Sequence, residues 1–267
     1  MKYLFSLFIM LFILTSCKDK TIEITEEPKE QTTELAVLSE DELLVDLVEL
    51  AHGKEQFTNK EMVQFDIDLS FGGQQRLEGT VYMSTDSKYV RVDKTDGSSL
   101  IYDGKQVWMS PKDANNEGAR FDMFTWSYFF ALPFKLSDEG TITNLFPDTE
   151  NFKVIRLTFE NGTGDAPDDW YEIYIDKETD LIDHAGYIVT YGGTPAEKAA
   201  ENAHAIAYSD YQTVENVPIA TSWKFYNYSN GIDRSKVIGE ANISNIEFGM
   251  VKKDLFSQPE NAIEVNL

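Results

Sequence analysis

Ser99-Leu100-Ile101-Tyr102-Asp103-Gly104-Lys105-Gln106-Val107-Trp108-Met109 decides the fold. Two short runs of β-branched, aromatic and long apolar residues flank Asp103-Gly104, and D-G between such runs is a strong hairpin signal. Asp96-Gly97 repeats the signal a few residues upstream. Working outward, runs of the same character occupy 62–71, 77–83 and 89–92 on the N-terminal side. They continue at 153–160, 170–176, 181–190, 204–213, 219–228 and 236–248 on the C-terminal side. About ten or eleven strands in antiparallel, up-and-down order is the expected result. No alternation of strands with long helices suggests a parallel sheet. The fold class is mainly β, with helices as additions.

Three segments depart from the strand rhythm. Ser39 and Glu42 form a capping box, Leu38 and Leu43 can staple across it, and Asp41 and Glu42 suit the positive end of a helix dipole. Leu43, Leu44, Leu47, Leu50 and Ala51 recur at helical spacing and predict the buried face, with Gly53 closing the helix. Thr194-Pro195-Ala196-Glu197 predicts a second, short Ala-rich helix with proline at its first position. Segment 121–136 holds seven aromatics (Phe121, Phe124, Trp126, Tyr128, Phe129, Phe130 and Phe134) and ends in Leu132-Pro133. It reads as a coil or helical lid over an apolar cavity, or as an ordinary core segment.

The N-terminus carries a separate message. A lone Lys2, an apolar run over 3–14 and Leu14-Thr15-Ser16-Cys17 have the layout of a secretory signal. The run is too short to span a bilayer, which takes roughly 20 apolar residues. Cys17 is the only cysteine in 267 residues. The L-T-S-C box resembles the lipobox of bacterial lipoproteins, which implies removal of 1–16, lipidation of Cys17 and a membrane anchor. Lys18-Asp19-Lys20 loosely resembles the signal that sends some Bacteroidota lipoproteins to the cell surface. Segment 17–37, mostly charged or Thr residues with Pro28, has the composition of a disordered tether. Residues 38–267 are long enough for a single β domain with its own core.

Without 1–16 the chain has 22 bases against 46 acids, a formal charge near −24. Such a surface repels phosphates, so nucleic acid is excluded as a partner, and so is a basic patch for anionic lipid. Once Cys17 is acylated, no disulfide, thiol nucleophile or zinc–thiolate site remains.

Four hairpins in order are similar to the lipoprotein-carrier fold, the half-open barrel of the LolA and LolB proteins and their lipoprotein relatives. They are Ile101 to Trp108; Tyr171-Glu172-Ile173-Tyr174-Ile175-Asp176 with Thr179 and Leu181-Ile182; Tyr208-Ser209-Asp210-Tyr211 with Val214, Val217 and Pro218; and Asn245-Ile246-Glu247-Phe248 with Asp254, Phe256 and Pro259. Together they cover about 62–259. Segment 128–136 further resembles a Bacteroidota lipoprotein family without an established activity. The resemblance implies a curved antiparallel half-barrel whose concave face is covered by the Ser39 helix and the 121–136 lid. The soluble carrier has no lipid anchor, whereas this chain has the lipobox, which argues against shuttling acylated cargo through the periplasm.

Motifs for phosphate loops, dinucleotide binding, zinc proteases and serine hydrolases are absent, and no catalytic residue, metal or cofactor is expected. His52 lies near a helix C-terminus, where a cation complements the dipole. His184 follows a turn and His204 begins a strand. Asp165, Asp168 and Asp169 with Gly162 and Gly164 form an acidic loop suited in chemistry to calcium, but the EF-hand pattern is missing and a plain hairpin turn is preferred. The expected function is non-enzymatic: an outer-membrane, lipid-anchored lipoprotein holding a lipid or acyl chain against Phe124, Trp126, Tyr128, Phe129, Phe130 and Phe134. One rival is a structural or protein-interaction lipoprotein with a filled core, its partners not identifiable from sequence. The other is a hydrolase using carboxylates in the concavity. An open apolar cavity favours the first reading, and a filled one favours the first rival.

Overall fold

Alternation sets which way each strand faces. The computed structural model describes residues 38–115 and 117–266, so Cys17 and the expected signal and tether over 1–37 lie outside the described residues. In β1 (Met62–Phe71), Val63, Phe65, Ile67 and Leu69 are buried on one face while the polar Gln64, Asp66 and Asp68 point the other way. β2 (Gln74–Ser84) pairs with it antiparallel, setting Met83 opposite Val63, Val81 opposite Phe65 and Leu77 opposite Leu69. The same face continues through Val90 and Val92 of β3 (Val90–Lys94), Leu100 of β4 (Ser99–Tyr102) and Met109 of β5 (Val107–Ser110). The Asp103-Gly104 turn joins β4 and β5 as expected, with Gly104 at φ 91. The Asp103 carboxylate pins the turn, accepting the backbone N–H groups of Lys105 and Gln106 at 2.9 Å each and the Trp108 indole N–H at 2.8 Å.

The remaining strands are β6 (Thr141–Phe146), β7 (Phe152–Phe159), β8 (Tyr171–Asp176), β9 (Ile182–Tyr187), β10 (His204–Val214), β11 (Val217–Tyr228), β12 (Ile232–Asp233), β13 (Gly239–Gly249) and β14 (Ile263–Glu264). Among the described residues these make one open, curved sheet of fourteen strands in the order β14-β5-β4-β3-β2-β1-β13-β11-β10-β9-β8-β7-β6, with β12 paired to β11. Every pairing is antiparallel. All eleven expected runs are strands. The three additional ones escaped because β12 and β14 are two residues long and β6 is an exposed edge strand with little burial contrast. Register shifts at Arg76, Asp183 and Asn245–Ile246 are bulges that bend the strands. The first aims Arg76 off the sheet to Asp122, at 2.8 Å.

Among the described residues, three of the four α-helices fill the concave side, while the short fourth packs in a separate cluster with Val154, Tyr174 and Tyr228 on the other face. α1 (Glu40–Ala51) starts at the expected capping box, with the Ser39 backbone N–H and hydroxyl both donating to Glu42 Oε2 at 2.7 and 2.8 Å. Gly53, at φ 70, follows its C-terminus as expected. The buried face differs from the expected one. Leu44, Val45 and Val48 face the core, while Leu43, Leu47 and Leu50 are exposed, Leu50 by 73 %. The helix is rotated because Val45, Val48 and His52 continue the Leu44 stripe at helical spacing and outweigh the leucines on the other flank. α2 (Lys54–Thr58) follows directly and buries Phe57.

Segment 121–136 is helical rather than coil. α3 (Ala119–Ala131) runs into a 3-10 turn (Leu132–Phe134), and Pro133 ends the regular helix. It packs by ring stacking: Phe130 on Phe65 and Phe134 on Phe57, each at 4.0 Å between centroids. α4 (Ala196–Ala200) begins after Pro195, one residue later than the expected cap at Thr194, because proline itself takes the extended N-cap geometry at φ −59, ψ 138.

Candidate functional site

α3 presents two faces at different registers. Met123, Trp126, Phe129 and Phe130 turn into the sheet and are buried. Arg120, Phe121, Phe124, Thr125 and Tyr128 recur on the other side and line a cavity of about 360 Å³. The opposite walls come from Val90 of β3, Tyr102 of β4, Phe159 of β7, Tyr171 of β8, the β7–β8 loop at 163–169, and Tyr191.

The six aromatics expected to hold a ligand therefore separate. Phe124 and Tyr128 line the cavity. Trp126, Phe129, Phe130 and Phe134 fill the core instead, with exposures of 4 % or less. Phe129 packs on Tyr187 at 4.9 Å and Phe225 at 6.1 Å, and its carbonyl accepts the Tyr208 hydroxyl at 2.9 Å. The physical reason is helical periodicity: a helix on a sheet buries one stripe, and these four rings are on it or on the turn that prolongs it. The opening beside Phe130 and Phe134 has only about 10 Å³, the space of one water.

The cavity walls are ring edges and faces. Tyr128, Phe159 and Tyr171 meet in a mutual cluster, with centroids 5.6 to 6.3 Å apart, and Tyr102 meets Phe124 edge-on at 5.1 Å. Burial pushes the Tyr128 and Tyr171 phenols well above their ordinary pKa, so both are protonated donors. The buried Tyr128 hydroxyl has no hydrogen-bond partner among the described residues.

Charge at the cavity is sparse and unequal. Arg120 holds Asp165 with two bonds, Nε to Oδ2 at 2.6 Å and a terminal nitrogen to Oδ1 at 2.9 Å, while its guanidinium lies 5.1 Å from the Phe124 centroid. Asp169 makes no ion pair among the described residues. Its Oδ1 accepts the Thr190 backbone N–H at 2.6 Å and the Thr190 hydroxyl at 2.8 Å. Burial raises its pKa, and the Thr190 bonds offset that only in part.

The acidic loop is thus part of a cavity wall, with Asp165 committed to Arg120 and Asp169 to Thr190. Among the described residues, no cluster of three or more His, Cys, Asp or Glu side chains is placed to hold a metal. The histidines lie elsewhere. His52 is fully buried, donating from Nδ1 to the Val48 carbonyl at 2.8 Å and accepting the Ile182 N–H on Nε2 at 3.3 Å. Burial lowers its pKa to about 4, so it is neutral and does not act as a cation at the helix end. His184 stacks on Tyr174 at 4.1 Å, and His204 begins β10 against Phe71.

Sequence reasoning had no means of assembling Tyr102, Phe159, Tyr171 and Tyr191, because they come from four distant places. Arg120, four and eight residues before Phe124 and Tyr128, shares their helical face, and a charge at that spacing is the signal that marks the second face of α3.

No protein-family profile matches the chain, and no curated protein matches it significantly. Solved structures similar to it include three bacterial proteins. A DUF1329 family protein from Desulfovibrio piger is 13 % identical, with 82 % of this chain and 98 % of that one covered and a TM-score of 0.49. A LolA superfamily protein from Nitrosomonas europaea is 8 % identical, with 79 % and 97 % covered and a TM-score of 0.49. A candidate outer membrane lipoprotein-sorting domain from Vibrio parahaemolyticus is 10 % identical, with 79 % and 95 % covered and a TM-score of 0.49.

Proposed function

We propose that this chain is a non-enzymatic lipoprotein of the bacterial envelope, anchored in the outer membrane through Cys17, that holds one apolar ligand, a lipid or acyl chain, between α3 and the sheet. The observation that carries the reading is the aromatic cavity of about 360 Å³ left open between the Arg120–Phe124–Tyr128 face of α3 and strands β3, β4, β7 and β8. That volume is at the small end of ligand sites, which run to roughly 300–1,000 Å³ and are mostly apolar with a few polar groups. An open sheet cannot close its own concave side, so what α3 leaves unfilled is available to a guest.

Binding of a neutral fluorescent probe such as N-phenyl-1-naphthylamine tests the cavity. Thr125→Trp places an indole in the opening and should abolish the probe signal with the melting temperature unchanged. A probe that never binds the wild-type protein supports the rival reading, a structural or protein-binding lipoprotein whose α3 merely completes the core. Anchoring is tested separately: Cys17→Ser should move the protein from the detergent phase to the aqueous phase, and persistence with the membrane would refute the lipobox.

A further inference from the structure

The polar groups of the cavity select a kind of head group, an inference that rests on the apolar-ligand reading above. An acyl chain ending in a carboxylate needs a cation at its head. The only cation lining the cavity among the described residues is Arg120, and both oxygens of Asp165 already engage it. Recruiting Arg120 to a ligand acid would leave Asp165 unpaired in a partly buried loop, which is costly.

The carboxylates stand the other way round. Asp169 lines the cavity with no cation within ion-pair distance among the described residues, and its Oδ2 makes no hydrogen bond there. Tyr128 and Tyr171 line the same cavity, close enough that the Asp169 charge adds to burial in raising both phenol pKa values. A partly desolvated carboxylate beside aromatic faces is an environment that attracts ammonium ions.

We infer that the cavity takes an amphiphile whose head is an ammonium group and whose tail is uncharged and apolar, with Asp169 and the surrounding rings as the head site. A formal charge of −23 over the whole chain acts in the same direction, concentrating cations near the mouth.

Three ligands of matched chain length separate the contributions: decylammonium, decanol and decanoate, each below its micellar concentration and each displacing the neutral probe. Decylammonium should displace it at a concentration about tenfold lower than decanoate, with decanol between them. Asp169→Asn keeps the acceptor for Thr190 and should remove most of the advantage of decylammonium over decanol while leaving decanol unchanged. Glu240→Gln, an exposed residue on β13, should change nothing and so exclude a general surface-charge effect.

Decanoate displacing as well as decylammonium, or a preference that survives Asp169→Asn, would overturn the head-group inference while leaving the cavity intact. If decanol and the probe both fail to bind, the apolar-ligand reading falls and the head-group inference falls with it.

Discussion

Phe129→Ala separates a core ring from a ligand-binding ring. Phe129 is 1 % exposed and meets Trp126, Tyr187 and Phe225 at centroid distances of 6.0, 4.9 and 6.1 Å. Truncating it removes a fully buried aromatic and leaves a hole that rings anchored on three different elements cannot collapse to fill. The loss is about 3–5 kcal/mol, the range for buried Phe→Ala changes. For a domain of this length each kcal/mol lowers the melting temperature by roughly 2–4 °C, so a loss near 4 kcal/mol predicts a drop of roughly 8–16 °C. Calorimetry or circular-dichroism melting reads the shift. Phe124→Ala is the counterpart: Phe124 is half-buried on the cavity wall, so it should melt much closer to the wild type yet bind the neutral probe weakly. A Phe129→Ala protein that melts within a few degrees of wild type but has lost the probe would refute the division of α3 into a core face and a cavity face.

Two further predictions concern buried groups outside the cavity. His52 titrates near 4 when folded and near 6.5 when unfolded, so the unfolded chain binds the extra proton first; stability is complete above about pH 6.5 and falls on acidification towards pH 4, by up to roughly 3 kcal/mol. His52→Gln should flatten that part of the urea midpoint–pH profile, and an unchanged slope would refute the assignment. In β9, a Cβ on Gly186 would come within 2.4 Å of the Tyr228 ring, which lies across this position to donate its hydroxyl to Glu172. Gly186→Ala should cost about 1–3 kcal/mol by overpacking, and Gly186→Ala combined with Tyr228→Ala should cost less than the two single changes summed.

The local instructions were legible in the chain. Asp103-Gly104 has a side chain and a glycine suited to one tight turn, the alternation of Val63, Phe65, Ile67 and Leu69 specifies one buried face, and Ser39 with Glu42 closes a helix start; each signal depends on neighbours within a few residues. The rotation of α1 and the division of the α3 aromatics were not legible. Leu43 and Leu44, like Phe129 and Tyr128, are adjacent residues of similar hydrophobicity, and which one is buried depends on the surface that receives the helix. For α3 that surface is built from strands β1, β8, β9 and β11, and for α1 from the adjoining α2 together with β6 and the 3-10 turn after α3, which are far away in sequence. The cavity depends on tertiary structure still more strongly: Arg120, Phe159, Asp169 and Tyr191 become neighbours only when α3 lies across the sheet, and the space among them is what helix and strands together fail to fill.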